Sequence, residues 1–198
     1  MKKIILLLIL FTPLITSAQI RDDVDASRKW FLPDHIKLQF AGNIGFLSGG
    51  PGYISQNRTL ETDLLFGFLP QKFGGDALVT TTLKTTYSPW SIPVKSDYYI
   101  KPFSLGFYLS YTFGTQFDTK LPSHYPVGYY WWATSFRSGA YIGGKVGKDL
   151  TYKNRQRSLE MYYELGTYDL LLISYVQNTG YLRPSDIVNL AIGVRLGF

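Results

Sequence analysis

Ile187-Val188-Asn189-Leu190-Ala191-Ile192-Gly193-Val194-Arg195-Leu196-Gly197-Phe198 is the stretch that decides the fold. Val188, Leu190, Ile192, Val194, Leu196 and Phe198 fall on one side of it. Asn189, Ala191, Gly193, Arg195 and Gly197 fall on the other. Successive side chains of a strand point to opposite faces, so this run predicts a strand lying between an apolar and a polar medium. A soluble sandwich and a membrane barrel both use such strands.

The same alternation recurs upstream. In Ser158 to Gly166, Leu159, Met161, Tyr163 and Leu165 oppose Glu160, Tyr162 and Glu164. Thr134 to Val146 sets Phe136, Ala140, Ile142 and Val146 against Arg137, Tyr141 and Lys145. Phe103 to Gly114 is the cleanest run, with Phe103, Leu105, Phe107, Leu109, Tyr111 and Phe113 on one side. Ala77 to Tyr87 and Leu60 to Phe68 follow the same rule, and His35 to Leu47 reads as the first strand, with Ile44 and Phe46 on its apolar face. Gly, Pro and charge break the pattern at Ser48 to Gly52, Pro70 to Asp76, Ser88 to Pro102, Thr115 to Gly128 and Gly147 to Arg157, which read as connections. Tyr168 to Val176 is apolar on both faces and fits a seventh strand or a short helix. As a strand it brings the count to eight, the even number of bacterial barrels. That count also places the long Thr115 to Trp131 connection at the same end as Phe198, where barrels of this kind keep their short turns.

The chain has 17% aromatic residues, 16 of them Tyr, together with 19 Gly and no Cys. Absence of Cys removes disulfides, thiol catalysis and Cys-based zinc sites, and two His make a His-rich metal centre unexpected. Met1 to Ala18 has the layout of a signal peptide: Lys2 and Lys3, an apolar run from Ile4 to Phe11, and Thr16-Ser17-Ala18 as a cleavage site. The apolar run is shorter than the ~20 residues a spanning helix needs, and Pro13 interrupts it. Without Lys2 and Lys3 the net charge falls from +6 to +4, a mild excess that does not call for nucleic acid.

These features together resemble the small, about eight-stranded outer-membrane β-barrel proteins of Gram-negative bacteria. Gly193, Leu196 and Phe198 resemble the closing-strand insertion signal of such barrels, and Ser17-Ala18-Gln19 looks like the signal-peptide ends common in the Bacteroidota. The resemblance implies an all-β, single antiparallel transmembrane barrel at residues 35–198. A signal peptide at 1–18 and a periplasmic tail at 19–34 would precede it. It further implies export through the Sec pathway, insertion by the barrel-assembly machinery, and contact with outer-membrane lipid and lipopolysaccharide. No cofactor, metal or nucleic acid is expected.

The polar faces gather Lys37, Glu61, Asp63, Lys84, Arg137, Lys145, Glu160, Glu164 and Arg195. An eight-stranded barrel is just wide enough for side chains to fill. Charges buried there must pair, because an isolated one costs several kcal/mol. Arg195 is therefore expected to meet at least one of Glu61, Asp63, Glu160 and Glu164. The function this points to is structural or surface-binding, with a non-conducting lumen. The enzymatic alternative is a lipid A acyl hydrolase or acyltransferase, using Ser123 and His124 with Glu160 or Glu164 as the acid, since a nucleophile needs a base and an orienting group. A third is an accessory subunit of an outer-membrane complex. The basic group Lys148, Lys153, Arg155 and Arg157 is suited to lipopolysaccharide phosphates or to plain solvation.

Overall fold

The computed structural model describes residues 31–55, 57–117, 133–152 and 155–198. Alternating strands turn their apolar side outward and join into a closed wall. The elements in chain order are β1 (His35–Ala41), β2 (Leu47–Ile54), β3 (Leu60–Leu69), the short helix α1 (Gln71–Gly74), β4 (Leu78–Tyr87), β5 (Ile92–Lys95), β6 (Tyr98–Phe113), β7 (Phe136–Tyr152), β8 (Arg155–Tyr168), the helix α2 (Asp169–Gln177), and β9 (Asn189–Gly197). Eight strands form the ring β1-β2-β3-β4-β6-β7-β8-β9, closed by pairing of β9 with β1. The short β5 stands outside the ring, hydrogen-bonded to the lower part of β6.

All pairings are antiparallel, and the register climbs. Directly opposed residues lead from His35 through Gly52, Asp63, Lys84, Tyr108 and Gly139 to Tyr168 at the far rim. Strands in a closed barrel must tilt, and this stagger is how the tilt is expressed. The rim that carries His35 and Gly197 is called lower here. Asp34 belongs to it. Its N–H donates to the Gly52 carbonyl (2.8 Å), its carbonyl accepts from the Phe198 N–H (3.0 Å), and its carboxylate accepts from the Ile54 N–H (2.7 Å).

Several local expectations are corrected. Ser48 to Gly52 is not a loop: it lies within β2, opposite both β1 and β3. The first strand ends at Ala41, where Ala41, Gly42 and Asn43 take positive φ and reverse the chain. Ile44 consequently points into the barrel instead of outward, and its carbonyl accepts a hydrogen bond from the Thr80 hydroxyl. Ser88 to Pro102 contains β5 and the start of β6, and Gly147 to Arg157 is mostly strand. Tyr168 ends β8, and Asp169 to Val176 lies in helix α2, the second of the two expected forms, so this stretch supplies no strand of its own. The count of eight survives because β2 was overlooked and the helix was counted in its place. The exchange also reverses the direction of every strand between them. The upper ends of β6 and β7, at Phe113 and Phe136, are therefore the ones that the long connection joins, away from Phe198, and the expected conflict over its length disappears.

The outer face is apolar from rim to rim. Ile36, Leu38, Leu64, Phe66, Leu83, Leu105, Phe107, Leu109, Ile142, Met161, Ile192 and Val194 are all exposed. Tyr53, Tyr87, Trp90, Tyr98 and Phe198 form a lower aromatic belt. Phe rings gather near the upper rim: Phe46 lies between Phe40 (4.9 Å, edge-on) and Phe73 (4.6 Å, stacked), and Tyr111 meets both Phe113 and Phe136.

Candidate functional site

The charged residues of the polar faces meet inside the ring. Glu61, from β3, is the hub of the lower lumen. Its carboxylate lies 2.7 Å from Lys145, 2.9 Å from Lys37, and 3.5 Å from both Lys101 and Arg195. Asp63, two residues on and on the same face, accepts from Lys37 (2.6 Å) and from the His35 ring Nε2 (2.5 Å). Glu160 closes the cluster with Arg195 (2.8 Å), Lys101 (3.4 Å) and the Tyr99 hydroxyl (2.7 Å). Above it, Lys84 donates to Glu164 (2.5 Å) and to the Gln39 side-chain amide oxygen Oε1 (2.6 Å), and its ammonium lies 4.5 Å from the centre of the Tyr141 ring. The top of the lumen is apolar, with Ile44 and Leu65 packed against Tyr108 and Tyr141.

Five cations (Lys37, Lys84, Lys101, Lys145, Arg195) and four carboxylates (Glu61, Asp63, Glu160, Glu164) are buried here among the described residues. Each carboxylate has a basic partner, which offsets the cost of removing it from water. Arg137 stands apart at the upper rim, 3.9 Å from Asp169 at the start of α2. Sequence reasoning missed two members. Lys101 fell in an expected loop, and His35 looked ordinary at a strand entrance. A strand boundary set at Tyr98 would have put Lys101 near the inward column of Ser104 and Tyr108, across a local shift in register at Pro102 and Phe103.

His35, Glu61 and Asp63 offer three ligand atoms within 4.8 Å of one another, a set that fits a metal ion in number and type. The Lys37 ammonium already lies between the two carboxylates, however, in the place a cation would take. Both carboxylates are thus already paired with a cation of the chain itself.

Inward tyrosines fill the space that remains. Tyr141, Tyr108, Tyr162 and Tyr99 each lie over the glycine directly opposite on the next strand: Gly106, Gly139, Gly193 and Gly147 respectively. The missing side chain on one strand makes room for the ring of its neighbour. The Tyr141 hydroxyl then reaches Thr86 (2.6 Å), passing over Gly106 of β6 to the next strand of the wall, β4. A cavity of about 10 Å³ is left beside Lys84, Ile44, Tyr141 and Glu164, room for about one water.

This arrangement sets up a test. A Cβ at Gly106 would overlap the Tyr141 ring, whereas one at Gly180 would meet nothing within 4 Å. Gly106→Ala should lower stability by about 1–3 kcal/mol, the usual cost of overpacking, with Gly180→Ala near neutral. Urea titration of the two variants in detergent micelles reads the difference, and equal midpoints would contradict the packing described.

Of the residues suited to lipid A chemistry, Ser123 and His124 lie outside the described residues. Glu160 and Glu164 are inside the lumen, held against Arg195 and Lys84. In the closing strand Gly193 faces inward beneath Tyr162, while Leu196 and Phe198 face outward. The arrangement pairs charges and fills most of the space between them. Compared with known proteins, the chain matches no family model, no curated protein and no solved structure.

Proposed function

We propose that this chain is an integral barrel of a Gram-negative outer membrane with a structural or surface-binding role and a packed, non-conducting lumen. The observation that carries this reading is the inversion of its two faces. The outside is a continuous apolar wall, while Lys37, Glu61, Asp63, Lys84 and Glu160 are sealed within. A water-soluble protein does the reverse with its charges. A bilayer accepts a closed barrel because every ladder bond is made between strands and no edge is left in lipid. The aromatic residues near both rims suit the two membrane boundaries.

In this orientation the lower rim faces the periplasm, and the upper rim, where β6 ends, β7 begins and α2 follows β8, faces outward, the side on which such barrels carry their longer connections. Lys148 and Arg157 then stand on the periplasmic side, away from lipopolysaccharide. Lipid is the partner of the outer wall, the Sec pathway the export route and the barrel-assembly machinery the route of insertion.

Planar-bilayer recording of the purified protein tests the packed lumen. Eight strands leave an interior that side chains can fill, whereas the water-filled channel of a porin takes about 16 strands. The expected trace is silent at modest voltage. Stable open-channel currents would put transport ahead of a structural or binding role.

A further inference from the structure

The apolar exterior does not stop where the strands end. Helix α2 follows β8 without a break, and its sequence, Asp169-Leu170-Leu171-Leu172-Ile173-Ser174-Tyr175-Val176-Gln177, carries one charge, at its first residue. That charge is spent locally, since Asp169 faces Arg137 of β7. Among the rest, Leu171, Ser174 and Tyr175 are half-buried, whereas Leu172, Ile173 and Val176 are exposed, Val176 by 67%. Residues 172, 173 and 176 lie on one helical face by their spacing. The face turned away from the protein is thus apolar up to Gln177, the exposed last residue of the helix. A helix lying on a soluble protein has the opposite pattern, with its polar side outermost.

The surroundings that suit such a face are apolar. We propose that α2 lies in the outer-leaflet side of the membrane boundary, with Leu172, Ile173 and Val176 inserted among lipid. The inference rests on the membrane reading above and goes beyond it, because it assigns a lipid contact to a segment outside the strand wall. Continuity selects lipid as the occupant. The outward column of β8, Leu159, Met161, Tyr163 and Leu165, runs upward into the helix, and the exposed Val188 and Leu190 of the return to β9 flank it. The helix packs beside the ends of β7 and β8. At nine residues it is too short to cross a bilayer. Lying at the boundary, it would widen the barrel's footprint in one leaflet only.

The absence of Cys makes the test direct. Single variants Leu172→Cys, Val176→Cys, Leu109→Cys and Asp76→Cys, each in the otherwise unchanged protein, are labelled with a nitroxide and reconstituted into phosphatidylcholine vesicles. Collision with oxygen, which partitions into lipid, is compared with collision with a water-soluble nickel chelate. Leu109 lies on the strand wall and Asp76 in the exposed turn between α1 and β4, so they bracket the scale. The oxygen-to-nickel ratio at both Leu172 and Val176 should exceed that at Asp76 several-fold and approach that at Leu109. A ratio at both helix positions equal to that at Asp76, with Leu109 in lipid, would place the helix in water and overturn this inference alone. Shielding from both reagents would mean that protein covers the helix, with the same consequence. Leu109 itself in water would overturn the membrane reading and this inference with it.

Discussion

Glu61→Ala is expected to cost the barrel about 3–5 kcal/mol, the range found when one partner of a buried ion pair is removed. The reason lies in the hub geometry. One carboxylate is shared by Lys37, Lys145, Lys101 and Arg195, all of them buried. Lys37 retains Asp63, and Arg195 and Lys101 retain Glu160. Among the described residues, Lys145 is within salt-bridge distance of Glu61 and of no other acid, so the truncation strands it. Glu61→Gln keeps the volume and should fail in the same direction, which separates loss of charge from loss of packing. A second substitution, Lys145→Met, made in the Glu61→Gln background, should recover part of the loss, because a buried charge without a partner is then replaced by an apolar chain of similar length. Urea unfolding in micelles, carried out as a double-mutant cycle, gives the coupling between the two positions. Strict additivity of the two substitutions would refute the hub.

Leu109→Arg is expected to cost about 2–4 kcal/mol in a bilayer, the penalty for a cation on the lipid face of a barrel near mid-membrane. Leu109 sits at mid-height on the outer side of β6, with Phe107 and Tyr111 next to it in the same column. The penalty depends on depth, so the same change at Tyr53 on the lower belt should cost about 0–1 kcal/mol, since an arginine there can reach the headgroups. Reversible unfolding from phosphatidylcholine vesicles compares the two. Equal costs at the two depths would mean that the wall does not face hydrocarbon.

Much of the fold was legible because the two sides of each strand meet different media. In β9 that contrast is complete: Leu190, Ile192, Val194 and Leu196 outward, Arg195 inward, with only small residues around it. The sidedness of β6 and β8 could be read in the same way, and so could the inward direction of Lys37, Glu61, Lys84, Glu160 and Glu164. Alternation is a local property, fixed by strand geometry alone.

Strand β2 was illegible for the converse reason. Ser48-Gly49-Gly50-Pro51-Gly52 has almost no side chains to alternate, and Pro51 lacks the N–H of a regular ladder. It is a strand because β1 and β3 stand on either side of it. The approach is so close that a Cβ at Gly50 would run into the Leu64 carbonyl. A composition that reads as a turn in isolation is there what lets two neighbouring strands pack. Leu170 to Ile173 failed in the other direction. Residues apolar on every side carry no periodicity, so helix and strand could not be told apart by pattern.

Half-apolar strands, the charged side of most of them, and a barrel of about eight strands able to seal those charges inside all follow from alternation along the chain. Which strands make up the eight, the turn after Ala41 that folds Ile44 into the lumen, and which charge meets which depend on the closed ring. Lys37 and Asp63 are 26 positions apart, and Lys145 and Glu61 are 84 apart. Nothing local links them. Their meeting is set by strand order, tilt and register, which appear only when the ring closes, and a shift of one residue would turn every one of these side chains to the opposite face.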